Sequence, residues 1–103
     1  MKICVFGAGA IGGFLAARIA AAKSAEVNLV ARGPHLAAMR ANGLTLIEGD
    51  ERTTVEVNAE EDPVRLGPQD YVFITLKAHS VPPVVPKMAP LIGDGTTIVS
   101  GVN

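Results

Sequence analysis

The sequence predicts an α/β fold with a mainly parallel sheet, and three observations lead to that prediction. An apolar stretch from Ile3 to Phe6, typical of a buried strand, runs directly into a glycine-rich segment. Apolar residues then recur at positions 11, 15 and 19, which is helical spacing. A second mostly apolar segment, residues 26–31, fits a parallel strand covered on both faces. Strand and helix patterns that alternate in this way indicate parallel strands joined by crossover helices.

The glycine-rich segment places Gly7, Gly9 and Gly12 at the G-x-G-x-x-G spacing, between the first strand and the first helix. In a dinucleotide-binding turn the first glycine allows the tight bend, the second leaves room for a pyrophosphate, and the third lets helix and strand approach closely. The helix N-terminus then offers unpaired N–H groups to the anion. The alternative is a tight turn without a ligand, since glycine-rich turns are common. The strand before, the helix after and the second strand favour a dinucleotide site.

Arg32 stands at the end of the second strand, twenty positions after Gly12. Chains that bind NAD or FAD usually carry Asp or Glu there, which accepts hydrogen bonds from the ribose hydroxyls. A guanidinium instead forms charge-assisted hydrogen bonds with a 2′-phosphate, which a carboxylate would repel. The bland alternative is a solvated arginine at a strand end. We interpret the position as selective for NADP(H), and a flavin is disfavoured for the same reason.

The remaining elements follow in order along the chain. The first strand is predicted at residues 2–6, the first helix at 10–22, the second strand at 26–31 and the second helix at 35–42, closed by Gly43. Residues 44–48 and 53–58 alternate as strands around a turn at 49–52, which predicts a β-hairpin within residues 44–58. A central strand is expected at 71–76, a helical segment at 81–92 despite four prolines, a turn at 93–95 and a last strand at 96–100.

A complete doubly wound sheet contains two βαβαβ halves. The 103 residues hold the first half and the opening of the second. We therefore predict one domain, residues 1–103, with a Rossmann-like, doubly wound, mainly parallel sheet that is incomplete at the C-terminus.

Composition disfavours several classes of function. Nine basic residues stand against ten acidic ones, and there are three Phe, one Tyr and no Trp, so nothing predicts binding to nucleic acid or to an anionic membrane. Cys4 is the only cysteine, and His35 and His79 have no ligand-spaced partner, so we expect no metal site. The N-terminus superficially resembles a secretory signal, but its glycines and Arg18 argue against one, and a cytoplasmic, unprocessed protein is expected.

Four segments together resemble the N-terminal domain of the ketopantoate reductases (2-dehydropantoate 2-reductases): residues 1–13, 30–44, 66–78 and 88–93. The resemblance covers the whole chain. It implies an NADPH-dependent oxidoreductase of pantothenate biosynthesis that reduces a 2-oxo acid to a 2-hydroxy acid, with 2-dehydropantoate as the first candidate substrate. It also implies that a second, helical domain supplies the proton donor, so this chain alone is expected to be inactive. A homodimer is left open.

Lys77 and Asn103 come after the predicted strands 71–76 and 96–100. Ligands of open α/β sheets bind at such strand ends. The alternatives are a solvated strand-end lysine for Lys77 and a turn residue for Asn103. The resemblance places the family's strand-end lysine on Lys77 and its nicotinamide-side asparagine on Asn103, although Gly101 and Val102 depart from the family pattern. Lys77 and Asn103 are therefore the catalytic candidates. The cofactor-binding candidates are Gly7, Ala8, Gly9, Ala10, Ile11, Gly12, Arg32, Lys77 and Asn103.

A second hypothesis assigns the chain to another class, a non-catalytic NAD(P)-binding sensor or regulatory domain with the same fold. Such a domain needs no proton donor near the nicotinamide. His79 and Tyr71 are the residues of this chain with acid chemistry, but His79 is expected to begin a helix and Tyr71 a strand.

Overall fold

A five-stranded parallel sheet forms the centre of the structure, which is a computed structural model that describes residues 1–7, 10–23, 25–76 and 81–100. The elements in chain order are β1 (Lys2–Phe6), α1 (Ala10–Ala22), β2 (Glu26–Val30), α2 (Gly33–Asn42), β3 (Leu44–Glu48), β4 (Glu51–Val55), β5 (Asn58–Glu60), β6 (Gln69–Ile74), α3 (Val81–Val84) and β7 (Ile92–Ser100). In the described residues, 3-10 helices span Pro63–Arg65 and Val85–Leu91. The strand order in the sheet is β5-β2-β1-β6-β7, so the predicted Rossmann-like, mainly parallel sheet is confirmed.

Both faces of the central strands β1, β2 and β6 are covered, because alternate residues of these strands enter separate cores. In β1, Cys4 and Phe6 pack on one side with Met88 and Leu91 of the second 3-10 helix. Val5 points to the other side, where Ala16 of α1 and the buried side chains of α2 lie. This double burial explains why β1 and β2 are mostly apolar without alternation, apart from the buried Asn28 of β2.

The predicted hairpin is confirmed as the antiparallel pair β3 and β4, which is separate from the main sheet. Its turn takes only Gly49 and Asp50, and Gly49 has a φ of 60°. The second strand therefore begins at Glu51 and ends at Val55, earlier than the predicted 53–58. An ion pair between Arg18 of α1 and Glu48 of β3 attaches the hairpin to the helix.

The C-terminal half departs from the predicted bounds in three places, the first of which is β6, which spans Gln69–Ile74 instead of the predicted 71–76. The helical segment at 81–92 is α-helical only over α3 and continues as a 3-10 helix, which contains Pro90. Pro86, close to the end of α3, and Pro90 have no N–H to donate, so a regular α-helix cannot continue through them. The predicted turn at 93–95 lies inside β7, where the register against β6 shifts. Thr96 bridges this irregularity, since its hydroxyl accepts from the N–H of Gly93 at 2.8 Å and contacts the carbonyl of Gln69.

None of the helices within the described ranges has the length and hydropathy needed to cross a membrane.

Candidate functional site

Gly7 is the first residue after β1 and begins the turn toward α1. Its φ is 111°, a backbone conformation that a residue with a side chain rarely adopts. A Cβ there would also lie 2.8 Å from Cδ2 of Leu76. The N–H of Gly7 donates to the carbonyl of Val30 at 3.0 Å. The turn therefore depends on glycine at this position and is attached directly to the end of β2.

Gly12 lies in the first turn of α1, where it packs against Gly7. A Cβ on Gly12 would lie 2.2 Å from the carbonyl oxygen of Gly7 and 2.5 Å from Oγ1 of Thr75. Since Gly12 is buried, no open space is left for even a methyl group. The structure thus brings Gly7 and Gly12 together, and Gly12 performs the predicted packing of helix against strand.

Thr75 also belongs to this cluster, and sequence reasoning missed it. It follows β6, and the parallel register that pairs Phe6 with Ile74 carries on to place Thr75 beside Gly7. Its hydroxyl lies 3.0 Å from the carbonyl oxygen of Gly7 and 3.3 Å from that of Phe6. The available signal was its position near the end of the predicted strand 71–76, two residues before Lys77.

Arg32 caps the N-terminus of α2, two residues beyond the end of β2. Its side chain is exposed and makes no capping hydrogen bond. Two other arginines of the same layer are paired, Arg18 with Glu48 and Arg40 with Glu60. Within the described ranges, by contrast, the guanidinium of Arg32 forms neither an ion pair nor a hydrogen bond. It is therefore available to an anionic ligand at the edge of the sheet where β1 and β2 end.

The other predicted site residues divide into two groups. Ala10 and Ile11 form the start of α1, so their backbone lies in the turn of the helix whose N–H groups have no intrahelical acceptor. Ala8, Gly9, Lys77 and Asn103 lie outside the described residues, as does His79. What the described part offers is a helix N-terminus on a glycine turn, with the unpaired guanidinium of Arg32 just beyond the end of the neighbouring strand β2, an arrangement suited to binding phosphate groups.

A groove of about 590 Å³ lies elsewhere, between α1, α2 and β3. It includes Gly13 and Phe14 but neither Gly7, Gly12 nor Arg32. Its walls are mostly apolar, so it does not provide the charge that a dinucleotide needs, and the glycine turn stays the better candidate. In the described part of the chain, no three His, Cys, Asp or Glu side chains are grouped as metal ligands would be.

Comparison with known proteins agrees with this geometry. The family model described as ketopantoate reductase PanE/ApbA matches residues 3–103. The chain belongs to the ketopantoate reductase family. Members of this family are oxidoreductases, as the resemblance implied. The resemblance predicted from the sequence is thereby confirmed.

Individual family members are similar over the whole chain. A 2-dehydropantoate 2-reductase of Mesorhizobium japonicum is 52% identical over 103 residues, which is 100% of this chain and 32% of that protein. A crystal structure from Ralstonia solanacearum MolK2, of a protein assigned to the ketopantoate reductases, is 44% identical with a TM-score of 0.92, covering 98% of this chain and 31% of that one. A PanE/ApbA family ketopantoate reductase from Ralstonia eutropha JMP134 is 31% identical with a TM-score of 0.90, covering 100% and 34%. The chain thus spans about a third of the length of these family members.

Proposed function

We propose that this chain is the NADP(H)-binding domain, residues 1–103, of a reductase that converts a 2-oxo acid into a 2-hydroxy acid. The observation that carries the proposal is the contact of Gly12 with Gly7, which places the N-terminus of α1 against the end of β1 with no room for a side chain. Such a turn presents backbone N–H groups and the positive end of the helix dipole to a pyrophosphate. Family membership supports the reductase chemistry.

Arg32 is the residue that we propose selects NADP(H) over NAD(H). Its guanidinium is exposed and unpaired within the described ranges. Arg32 caps α2 just beyond β2, the strand that pairs with β1, and the glycine turn follows β1. A hydrogen bond to a charged group contributes about 1.5–3 kcal/mol, or about a tenfold to hundredfold difference in affinity. An unphosphorylated ribose would not receive this contribution.

Titration of the purified chain with NADPH and NADH tests both parts of the proposal. Wild-type protein should prefer NADPH, and Arg32→Ala should weaken NADPH binding about tenfold to a hundredfold and leave NADH nearly unchanged. Arg52→Ala removes an exposed arginine from β4 and controls for the general loss of one positive charge. Equal losses for both cofactors in the Arg32 variant would indicate a folding role and contradict the assignment.

For the complete protein we propose 2-dehydropantoate as substrate and pantothenate biosynthesis as the pathway, since the relative from Mesorhizobium japonicum is a 2-dehydropantoate 2-reductase. Lys77 and Asn103 are proposed to lie at the nicotinamide end of the cofactor. A panel of 2-oxo acids offered to the complete protein with NADPH would test the substrate. The homodimer and the cytoplasmic location stay predictions.

A further inference from the structure

We propose that Thr75 is a positioning residue for the cofactor, because its hydroxyl holds the glycine turn in the form that receives the pyrophosphate. This inference rests on the proposed function and adds to it a residue that the glycine motif does not contain. Thr75 acts through Gly7 and need not touch the ligand itself.

The hydrogen bonds of Thr75 identify Gly7 as its acceptor. The hydroxyl is 3.0 Å from the carbonyl oxygen of Gly7 and 3.3 Å from that of Phe6. A hydroxyl has a single proton to donate. The carbonyl of Phe6 accepts from the backbone N–H of Thr75 at 3.1 Å, and the carbonyl oxygen of Gly7 is the nearer of the two to the hydroxyl, which makes it the better placed acceptor of the hydroxyl proton.

This bond completes the attachment of Gly7 to both neighbouring strands. The N–H of Gly7 donates to Val30 at the end of β2, at 3.0 Å. Its carbonyl accepts from Thr75, which follows β6 on the opposite side of β1. Both polar groups of Gly7 are therefore fixed, and with them the direction in which the chain leaves β1 for the turn.

The same hydroxyl also forms part of the surface on which α1 begins. Oγ1 of Thr75 would lie 2.5 Å from a Cβ on Gly12, so the first turn of the helix rests directly on the bond between Thr75 and Gly7. The N–H groups that bind the pyrophosphate belong to that turn. If the carbonyl of Gly7 loses its donor, we expect the helix N-terminus to shift and the pyrophosphate contacts to weaken.

Two substitutions separate the hydroxyl from the shape of the side chain. Thr75→Val keeps the branched shape and removes the donor, whereas Thr75→Ser keeps the donor and removes the methyl group. Each variant is titrated with NADPH and with adenosine 2′-monophosphate, which carries the phosphate proposed for Arg32 but has no pyrophosphate. The free energy of unfolding of each variant is measured by urea denaturation.

We expect Thr75→Val to bind NADPH about threefold to tenfold more weakly, the usual range for one hydrogen bond, and to bind adenosine 2′-monophosphate as the wild type does. Thr75→Ser should bind both ligands like the wild type. Unchanged NADPH affinity in Thr75→Val would overturn the inference. An equal loss of affinity for both ligands would also overturn it, because that result indicates a merely structural role. Should the valine variant fail to fold, Thr75→Ser decides, since a marked loss of NADPH affinity there contradicts a role for the hydroxyl. If the wild type binds neither ligand, the proposed NADP(H)-binding function is contradicted, and the inference about Thr75, which rests on it, is contradicted as well.

Discussion

A side-chain carbon on Gly12 would lie 2.2 Å from the carbonyl oxygen of Gly7, a separation that real Cβ atoms do not reach. The atom in the way belongs to the backbone, so it cannot rotate aside as the end of a flexible side chain would. The neighbouring Gly13 is different, since a Cβ there meets nothing within 4 Å. Two adjacent glycines of one helix therefore have opposite tolerance for a methyl group.

We accordingly predict that Gly12→Ala lowers the free energy of unfolding by about 1–3 kcal/mol and weakens NADPH binding, because the first turn of α1 has to move away from β1. Gly13→Ala, the matched control, should raise stability by about 0.5–1 kcal/mol, as alanine is the better helix former. Urea denaturation and NADPH titration of the two variants test the prediction. Similar behaviour of both variants would show that the contact does not govern the turn.

A second prediction concerns a chain of three side-chain amides on neighbouring strands of the sheet, of which Asn28 and Gln69 are buried and Asn58 is exposed. Nδ2 of Asn28 donates to Oε1 of Gln69 at 3.0 Å, and Oδ1 of Asn28 accepts from Asn58 at 2.9 Å. Asn28 and Gln69 are each 2% exposed. Asn28→Ala leaves the oxygen of Gln69 buried without its donor, which costs about 1–3 kcal/mol of stability.

Thr54→Ala is the control for the amide prediction, because it also removes a side-chain hydrogen bond, the one to Thr45, but on the exposed hairpin. We expect it to change stability by less than about 0.5 kcal/mol. Denaturant midpoints measured side by side give both values. If Asn28→Ala and Thr54→Ala lowered stability equally, burial of the hydrogen bond between Asn28 and Gln69 would not increase its contribution to stability.

The parts of the fold that were predicted correctly are those encoded by neighbouring residues. The apolar strand, the glycine spacing and the apolar residues of α1 determine the first βα unit locally, and its bounds match the prediction. β5 was missed because it has only three residues, and what makes it a strand is its parallel pairing with β2. The alternating pattern of residues 53–58 instead predicts a single strand of the hairpin.

The same distinction holds for the candidate site. Gly7, Gly12 and Arg32 are recognisable from spacing alone. The role of Thr75 depends on a hydrogen bond between residues 68 positions apart, which exists only once β1 and β6 are paired. No periodicity in the sequence marks such a residue.

A third prediction follows from Cys4, which is fully buried in β1. Desolvation raises the pKa of its thiol from 9.0 to about 12. The folded protein therefore keeps the thiol protonated at pH values where the unfolded chain loses that proton. This contribution to stability is complete below about pH 9 and is lost as the pH rises toward 12, at up to about 1.4 kcal/mol per pH unit.

Urea denaturation of the wild type and of Cys4→Ala across that pH range measures the effect. As the pH rises, the free energy of unfolding of the wild type should fall more steeply than that of Cys4→Ala. The smaller side chain of the variant changes stability by the same amount at every pH and so does not affect this slope. Labelling with a thiol reagent at neutral pH should also require unfolding, because the thiolate is the reactive form. If the stability of the wild type and of the variant changed with pH in parallel, or if the folded protein were labelled rapidly, the raised pKa of Cys4 would be contradicted.

The final prediction is that a polypeptide of these 103 residues binds NADP(H) but reduces no 2-oxo acid. Carbonyl reduction needs a positioned proton donor, which contributes about 10²–10⁴ in rate, and a cleft that orients the substrate. The resemblance assigns the donor to a second, helical domain, and the chain spans about a third of its relatives' length. NADPH consumption with a panel of 2-oxo acids should therefore equal that of a sample without substrate. Saturable turnover that disappears in Lys77→Ala or His79→Ala would show instead that this part of the protein carries its own acid, whereas turnover that persists in both variants would place the donor on another of the 103 residues.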